Sequence, residues 1–367
     1  MKYIAPFRDH ALAQRLAVAI RAAVKPQRDY RLMEFCGGHT HAIFRYGVQG
    51  LMPENLHYIH GPGCPVCVLP SGRITMALQL LREHAPILCS YADLMRVPTR
   101  DRDSLFRARA EGFDVRMVYS TQDVLTIARD NPQREVVFFA IGFETTTPAT
   151  AVAITHAERE GLKNLSVFCN HLLTPPAMAA ILQQGETTID GFLGPSHVST
   201  IIGCRAYQPI AAAYEKPLVI AGFEPLDVMQ STLMLIEQIN GGRSEVENEY
   251  CRAVSEAGNQ KAQSLMDEVF ALREEFAWRG LGLINNSALQ IRSDYAAFDA
   301  EKRFAMTPLT AEEPRGCDCP AILRGLKRPH ECKLFGHGCT PETPVGACMV
   351  SSEGACAAYW RYGRDAA

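Results

Sequence analysis

Short apolar runs alternate with longer amphipathic stretches through most of the chain after residue 30. The short runs are apolar, β-branched or aromatic and predict buried strands, while the stretches between them place apolar residues at helical spacing. The predicted strands are residues 31–35, 56–60, 86–89, 115–119, 135–141, 165–169, 191–193 and 218–221. The predicted helices are residues 71–84, 121–130, 148–161, 175–184 and 226–240. Because strands separated by helices are typical of doubly wound parallel sheets, we predict an α/β fold.

Three short segments recur in the same order along the chain. Residues 34–40 are similar to residues 139–145, residues 60–64 to residues 193–197, and residues 89–95 to residues 223–229. Each similarity is weak, since Gly and Pro recur at any turn that follows a strand. Their common order predicts two similar α/β units. Ligands of open α/β sheets bind at the carboxyl edge of the strands, so we predict a functional cleft between the two units.

The character of the chain changes near residue 244. Residues 244–272 are charged and predict helix, residues 278–286 predict one strand, and the remainder is rich in loops and cysteines. We therefore predict a first α/β unit with an N-terminal helix over residues 1–130 and a second over residues 131–240. A smaller helical and loop-rich domain is predicted over residues 241–367.

Charge and hydropathy exclude two classes of partner. The 367 residues carry a formal net charge of −3, and no basic footprint for nucleic acid is visible. The first 25 residues are interrupted by charges, unlike a signal peptide, and no apolar run approaches the ~18 residues that span a bilayer. We expect a cytoplasmic protein without membrane contact. Its thirteen cysteines are then metal ligands, redox thiols or core residues rather than a disulfide framework.

Six of the thirteen cysteines lie in the last 51 residues. Four of them are spaced C-x12-C-x6-C-x16-C, namely Cys319, Cys332, Cys339 and Cys356. Structural zinc usually takes close cysteine pairs, whereas four scattered thiolates suit a cubane iron–sulfur cluster, in which each cysteine caps a different iron. Zinc and inert buried thiols remain as alternatives. Spacing alone does not exclude Cys317 or Cys348 as ligands.

Residues 36–41 read CGGHTH and follow the first predicted strand. Two glycines allow a tight turn and a close approach to a ligand. Cys36, His39 and His41 could form a soft transition-metal site, and the N-terminus of a following helix would lower the pKa of the thiol. The alternatives are a phosphate-type glycine loop, or a buried cysteine with surface histidines.

Residues 61–67 read GPGCPVC and place Cys64 and Cys67 between a predicted strand and a predicted helix. This setting favours thiolate formation and disulfide exchange. Half a zinc site and two packed thiols are the alternatives. Polar residues also follow other predicted strands, including Glu144, but each is as consistent with helix capping as with function.

Taken together, these motifs resemble one family. CGGHTH at 36–41, GPGCPVCVLP at 61–70, GFETT at 142–146, GFEPLD at 222–227 and the tail cysteines are similar to the HypD family of hydrogenase maturation proteins. The resemblance runs from the first strand to Cys356. It implies two similar α/β domains and a domain holding a [4Fe–4S] cluster. It also implies a scaffold on which iron with two cyanides and one carbon monoxide is assembled for [NiFe]-hydrogenase, with a small HypC-type chaperone and a HypE-type cyanide carrier as partners.

The resemblance gives the motifs expected roles. Cys36 is expected to anchor the substrate iron, and His39 or His41 to complete or orient that site. Cys64, Cys67 and the cluster are plausible sources of the electrons needed for cyanide transfer. Two other functions remain open from the residues alone. One is a free-standing thiol–disulfide oxidoreductase with a cluster as electron relay, and the other is a zinc-stabilised binding protein.

Overall fold

The computed structural model describes residues 4–310 and 312–363. The strands are β1 (Tyr30–Glu34), β2 (Leu56–His60), β3 (Ile87–Ser90), β4 (Val115–Met117), β5 (Val136–Gly142), β6 (Leu165–His171), β7 (Gly191–Gly194), β8 (Leu218–Ile220), β9 (Val246–Asn248), β10 (Phe270–Trp278) and β11 (Gly282–Ile291). None of the described helices is long and apolar enough to cross a membrane.

The α-helices surround these strands and continue into the tail. They are α1 (His10–Ala23), α2 (Gly37–Arg45), α3 (Val48–Leu51), α4 (Pro65–Val68), α5 (Ser71–His84), α6 (Ala92–Met95), α7 (Leu105–Ala110), α8 (Thr121–Asp130), α9 (Thr147–Glu160), α10 (Thr174–Gln184), α11 (Ser196–Ile202), α12 (Gln208–Tyr214), α13 (Pro225–Gly241), α14 (Gln260–Val269), α15 (Ala300–Arg303), α16 (Cys319–Leu323), α17 (Ala347–Val350) and α18 (Ala355–Tyr362). Short 3-10 helices occur at Ala5–Arg8, Arg205–Tyr207, Ser293–Phe298 and Pro329–Glu331.

Two parallel sheets form the body of the protein, which confirms the predicted α/β fold with two doubly wound units. Sheet 1 has the order β2-β1-β7-β8-β9, and sheet 2 has the order β4-β3-β5-β6. The chain leaves sheet 1 after β2, builds all of sheet 2, and returns to sheet 1 at β7. The predicted division at residue 130 therefore does not separate the sheets, because β1, which carries β2 on its other side, pairs with β7 far later in the chain.

Of the three pairs of similar segments, only one relates strands that occupy equivalent positions in the two sheets. The similarity of residues 34–40 to 139–145 relates β1 to β5, and each of these lies beside the strand that follows it in the chain. The second similarity relates β2 to β7, which belong to the same sheet, and the third relates β3 to β8. Those two similarities reflect a shared Gly or Pro turn after a strand rather than an internal repeat.

Local patterns predicted most elements but failed after residue 244. The bounds of β2, α5 and α8 are those expected. The helix predicted over 244–272 is confirmed only over α14, and the single strand predicted over 278–286 is instead part of an antiparallel hairpin of β10 and β11. The charged residues of β10 lie mostly on its more exposed positions, and Gly280 and Gly282 take positive φ at the turn. Alternation with a glycine turn is a hairpin pattern that the high charge obscured.

The cysteine-rich tail packs directly on the two sheets. Its helix α18 lies against α2, and α17 lies against α4. Arg279 lies in the turn between β10 and β11. It donates to the carbonyl oxygen of Leu69 from Nε at 3.2 Å and from Nη2 at 2.8 Å. Its guanidinium also pairs with Glu313. These contacts bring the tail cysteines beside Cys64 and Cys67.

Candidate functional site

A cleft of about 450 Å³ lies between the carboxyl edges of the two sheets. Its walls come from the segments after β1, β2, β3, β4, β5 and β7, and tail residues 351–353 close one side. This position confirms the predicted cleft between the units. Cys36 is the one cysteine of the described residues that lines it.

Cys36 is the N-cap of α2, and its side chain is 6% exposed. Its backbone amide donates to Glu34 Oε2 at 3.1 Å. The backbone amides of Gly38 and His197, at the starts of α2 and α11, lie close enough to its sulfur to favour the thiolate. Gly63 passes so close that a Cβ there would lie 2.5 Å from the Cys36 amide nitrogen. The glycine permits this approach and thereby fixes Cys36 at the cleft.

The expected lowering of the Cys36 pKa is not found. Burial raises the pKa of this thiol well above its usual range, and the carboxylates of Glu353 and Glu34 raise it further. The two helix N-termini act in the opposite direction but are the smaller effect. The thiol is therefore protonated at neutral pH in the absence of a bound cation. A soft metal ion would have to displace that proton in order to bind.

The structure separates the two histidines from the cleft. His39 is fully buried, and its Nε2 lies 3.0 Å from the carbonyl oxygen of Ala221 and 3.1 Å from Ser196 Oγ. Burial lowers the pKa of His39 to about 4, so the ring is neutral. It ties α2 to the turns after β7 and β8. His41 lies in a neighbouring cavity, where its Nε2 is 2.9 Å from the hydroxyl of Tyr362.

Three residues at the site were missed from the sequence. Glu34 is a buried carboxylate at the end of β1 that accepts from His60 Nδ1 at 2.8 Å and from the hydroxyl of Thr40. His197 and Glu353 line the cleft beside Cys36. A glutamate within the short strand 30–34 was the available signal for Glu34. Nothing local marked Glu353, since its position depends on the tail packing back on α2.

Cys64 and Cys67 lie side by side at the start of α4. Their sulfur atoms are 2.6 Å apart, about half an ångström longer than a disulfide bond, and Cys64 Sγ also accepts from the Cys67 amide at 3.2 Å. Both side chains are buried. Burial is the main cause that raises the pKa of Cys67 well above its usual range, followed by hydrogen bonding to Cys348 and Cys64. The expectation that this loop favours thiolate formation is therefore wrong for Cys67.

A row of thiols connects this dithiol to the tail. Cys67 and Cys319 both lie close enough to Cys348 to lower the pKa of its thiol. Cys319 in turn lies beside Cys317. The order Cys64, Cys67, Cys348, Cys319, Cys317 is thus continuous. Spacing in the sequence gave no indication of it, because Cys348 reaches Cys67 only through the packing of α17 on α4.

The six tail cysteines line one small cavity. Its remaining wall is largely apolar, with Ile322, Leu334, Phe335 and Met349. No three His, Cys, Asp or Glu side chains in the described ranges are grouped so as to hold a single metal ion. A cubane needs no such convergence, since each cysteine caps a different iron. Thiol donors around an apolar cavity fit a [4Fe–4S] cluster.

Comparison with known proteins agrees with this geometry. The family model HypD, described as the hydrogenase formation hypA family, matches residues 11–363. The chain is 60% identical over 370 residues to the hydrogenase maturation factor HypD of Azotobacter vinelandii, which covers 100% of this chain and 98% of that protein. Identity to the factor of Escherichia coli K12 is 48%, over 92% of this chain and 90% of that protein. The chain belongs to the HypD family of hydrogenase maturation factors.

Proposed function

We propose that this hydrogenase maturation factor is the scaffold on which the Fe(CN)2CO group of [NiFe]-hydrogenase is assembled, with Cys36 as the anchor of the substrate iron. The observation that carries the proposal is the position of Cys36 as the cysteine of the cleft. A thiolate is the soft, anionic ligand that such an iron prefers. The cleft is wide enough for a partner to present a second ligand opposite Cys36.

The surroundings of Cys36 supply what iron binding requires of the protein. The two backbone amides that lie close to its sulfur stabilise the thiolate once iron has displaced the proton. Glu353 lies near enough to raise the pKa of Cys36, and its own pKa is raised by burial and then by Asp93 and Glu34. A raised pKa makes a carboxylate a stronger proton acceptor. We assign Glu353 the role of proton acceptor for Cys36.

Cyanide transfer from a thiocyanate on the partner requires two electrons. Cleavage of the S–CN bond releases cyanide to the iron and leaves a thiolate on the carrier, so the carrier sulfur is reduced. Oxidation of the Cys64–Cys67 dithiol to a disulfide releases two electrons and two protons, which balances this step. The short separation of the two sulfurs suits this reaction, because ring closure needs little backbone movement.

The thiol row supplies a route for returning electrons to the dithiol. Cys348 contacts Cys67 and has a lowered pKa, so it is the thiol of the row best suited to attack a Cys64–Cys67 disulfide. Cys319 lies behind it, at the tail cavity, and reduction of the resulting mixed disulfide to two thiols would take two electrons and two protons. A [4Fe–4S] cluster in the tail cavity would supply one-electron redox chemistry at the end of the row.

The positions of the tail thiols indicate which four cysteines would hold the [4Fe–4S] cluster. Spacing predicted Cys319, Cys332, Cys339 and Cys356. In the structure Cys319 lies beside Cys317 and Cys348, and it is the thiol that acts most strongly on Cys356, while Cys339 has Cys317 and Cys332 as thiol neighbours. We propose that Cys319, Cys332, Cys339 and Cys356 hold the cluster, with Cys319 as the ligand next to Cys348.

Burial weighs against a free-standing thiol–disulfide oxidoreductase. The side chains of Cys64 and Cys67 are 3% and 0% exposed, so a protein disulfide has no access to them. The proposal therefore includes partners that reach the cleft, a small HypC-type chaperone and a HypE-type cyanide carrier, with the hydrogenase large subunit as the eventual recipient.

Infrared spectroscopy of the protein isolated with its small partner tests the proposal. Cyanide and carbon monoxide stretches should be present for the wild type and absent for Cys36→Ala, while the Cys36→Ala protein keeps its iron–sulfur chromophore. Cys251→Ala, which removes an exposed cysteine outside the cleft, is the matched control and should keep the bands. Bands of normal intensity from Cys36→Ala would move the anchor to another residue or to the partner.

A further inference from the structure

A second cavity, of about 470 Å³, lies on the far side of α2. We call it the arginine basin, because Arg8, Arg45 and Arg361 lie on its walls. It shares His197, Ser352 and Glu353 with the Cys36 cleft. The two cavities are therefore neighbours, and a ligand in the basin would lie next to the site of chemistry.

Two of these arginines lack a carboxylate partner among residues 4–310 and 312–363. Arg8 is paired with Glu224, with Nη2 to Oε1 at 3.0 Å, whereas Arg45 lies over the ring of Tyr46 and neither Arg45 nor Arg361 makes an ion pair within the described residues. Both Arg45 and Arg361 are exposed. Both are also close enough to His41 to lower its pKa, after the larger effect of burial. Two unpaired guanidinium groups thus converge on one neutral imidazole.

The balance of charge in the basin selects the kind of anion. Three guanidinium groups face the carboxylates of Glu224 and Glu353, so about one positive charge is uncompensated. A monoanion would neutralise it. A dianionic phosphate would leave the cavity with a net negative charge, which is less favourable. The planar, forked guanidinium binds a carboxylate through two parallel hydrogen bonds.

We propose that the arginine basin binds a ligand bearing a single carboxylate, held by Arg45 and Arg361 with His41 as an additional hydrogen-bonding group. The aromatic rings of Tyr46 and Phe223 provide an apolar wall for the carbon skeleton of that ligand. Only the purpose of this site, which is to place a carboxylate-bearing ligand beside Cys36, rests on the proposed function. The carboxylate belongs either to a small molecule or to the chain terminus of a partner protein.

Calorimetric titration of the complete chain with three probes tests the site and separates the two sources. The probes are acetate, N-acetyl-trialanine with a free carboxylate, and the same peptide as its amide. We expect the free-acid peptide to bind at least ten-fold more tightly than the amide. Binding of acetate as tight as that of the peptide indicates a small-molecule ligand, whereas clearly tighter binding of the peptide indicates a chain terminus. Equal affinities of acid and amide, or no binding of either acid, would overturn the proposal.

Substitutions locate the binding. Arg45→Gln and Arg361→Gln should each weaken the free-acid peptide at least ten-fold and leave the amide unchanged. Arg107→Gln is the control, because Arg107 is an exposed arginine on α7 that pairs with Glu111. Unchanged affinity in both basin variants would refute the assignment. Neither iron nor a partner protein is present in this titration, so its result is independent of whether Cys36 carries the substrate iron.

Discussion

Substitution of Gly37 by Ala tests the contact that holds the tail against the Cys36 loop. A Cβ at Gly37 would lie 2.3 Å from the Cβ of Glu353, 2.7 Å from its carbonyl oxygen and 2.9 Å from its Cα. Ordinary contacts begin near 3.4 Å, so residue 353 would have to move by about 1 Å. Rotation of a side chain cannot relieve the clash, because two of the three atoms belong to the backbone. Overpacking of this kind costs about 1–3 kcal/mol.

Gly50 provides a control for the same change. It also lies in a helix, α3, but a Cβ there meets nothing within 4 Å. Gly50→Ala should leave stability unchanged or raise it by up to about 1 kcal/mol through helix propensity. Chemical denaturation followed by circular dichroism measures both variants against the wild type. Gly37→Ala protein as stable as the wild type would refute the tight contact between α2 and the segment at residue 353.

Three further predictions follow from buried groups. Cys348→Ser should keep iron and acid-labile sulfide but slow the re-reduction of the oxidised dithiol, as followed by thiol trapping; an unchanged rate would remove Cys348 from the route. Burial raises the pKa of Glu144 from 4.5 to about 7. The protonated side chain therefore contributes fully to the free energy of unfolding below pH ~4.5, and this contribution is lost as the pH rises through about 7. Glu144→Gln can still hydrogen-bond to Thr174. Its free energy of unfolding should therefore exceed that of the wild type by up to about 3 kcal/mol at pH 8 and be similar to it at pH 4. Equal slopes of stability against pH for the two proteins would contradict this. His39→Ala should lower the free energy of unfolding by roughly 2–4 kcal/mol and His41→Ala by less than about 1 kcal/mol, because of the two only His39 is fully buried. Similar losses for both variants would contradict this difference in burial.

Patterns in the sequence were sufficient where local chemistry decides the structure. The helix α8 begins with a Ser120 capping box and ends where predicted, and the carboxyl edge of β1 carries Cys36 as expected from the order of elements. The cleft could be inferred because parallel strands align their carboxyl ends. Cys64 and Cys67 lie close together because only two residues separate them at the start of a helix.

Features that depend on distant packing could not be predicted. The pairing of β1 with β7 joins residues about 160 positions apart, and no local pattern specifies it. The thiol pKa values also differ from expectation, since helix N-termini were visible in the sequence but the burial of Cys36 and Cys67 was not. Likewise, the placement of His41 away from Cys36 follows from the rotation of successive residues around α2, which puts them on different faces.

The return of the chain to sheet 1 has a consequence for how the protein is made. β1 and β2 leave the ribosome first, but one edge of β1 finds its partner only when β7 has been synthesised. At roughly 5–20 residues per second, the intervening stretch of about 160 residues takes on the order of 10–30 s. All strands of sheet 2 have been synthesised before then, whereas the backbone N–H and C=O groups along one edge of β1 remain unpaired. The nascent chain therefore exposes an aggregation-prone strand during synthesis, and its yield in cells should depend on chaperones that bind unfinished chains.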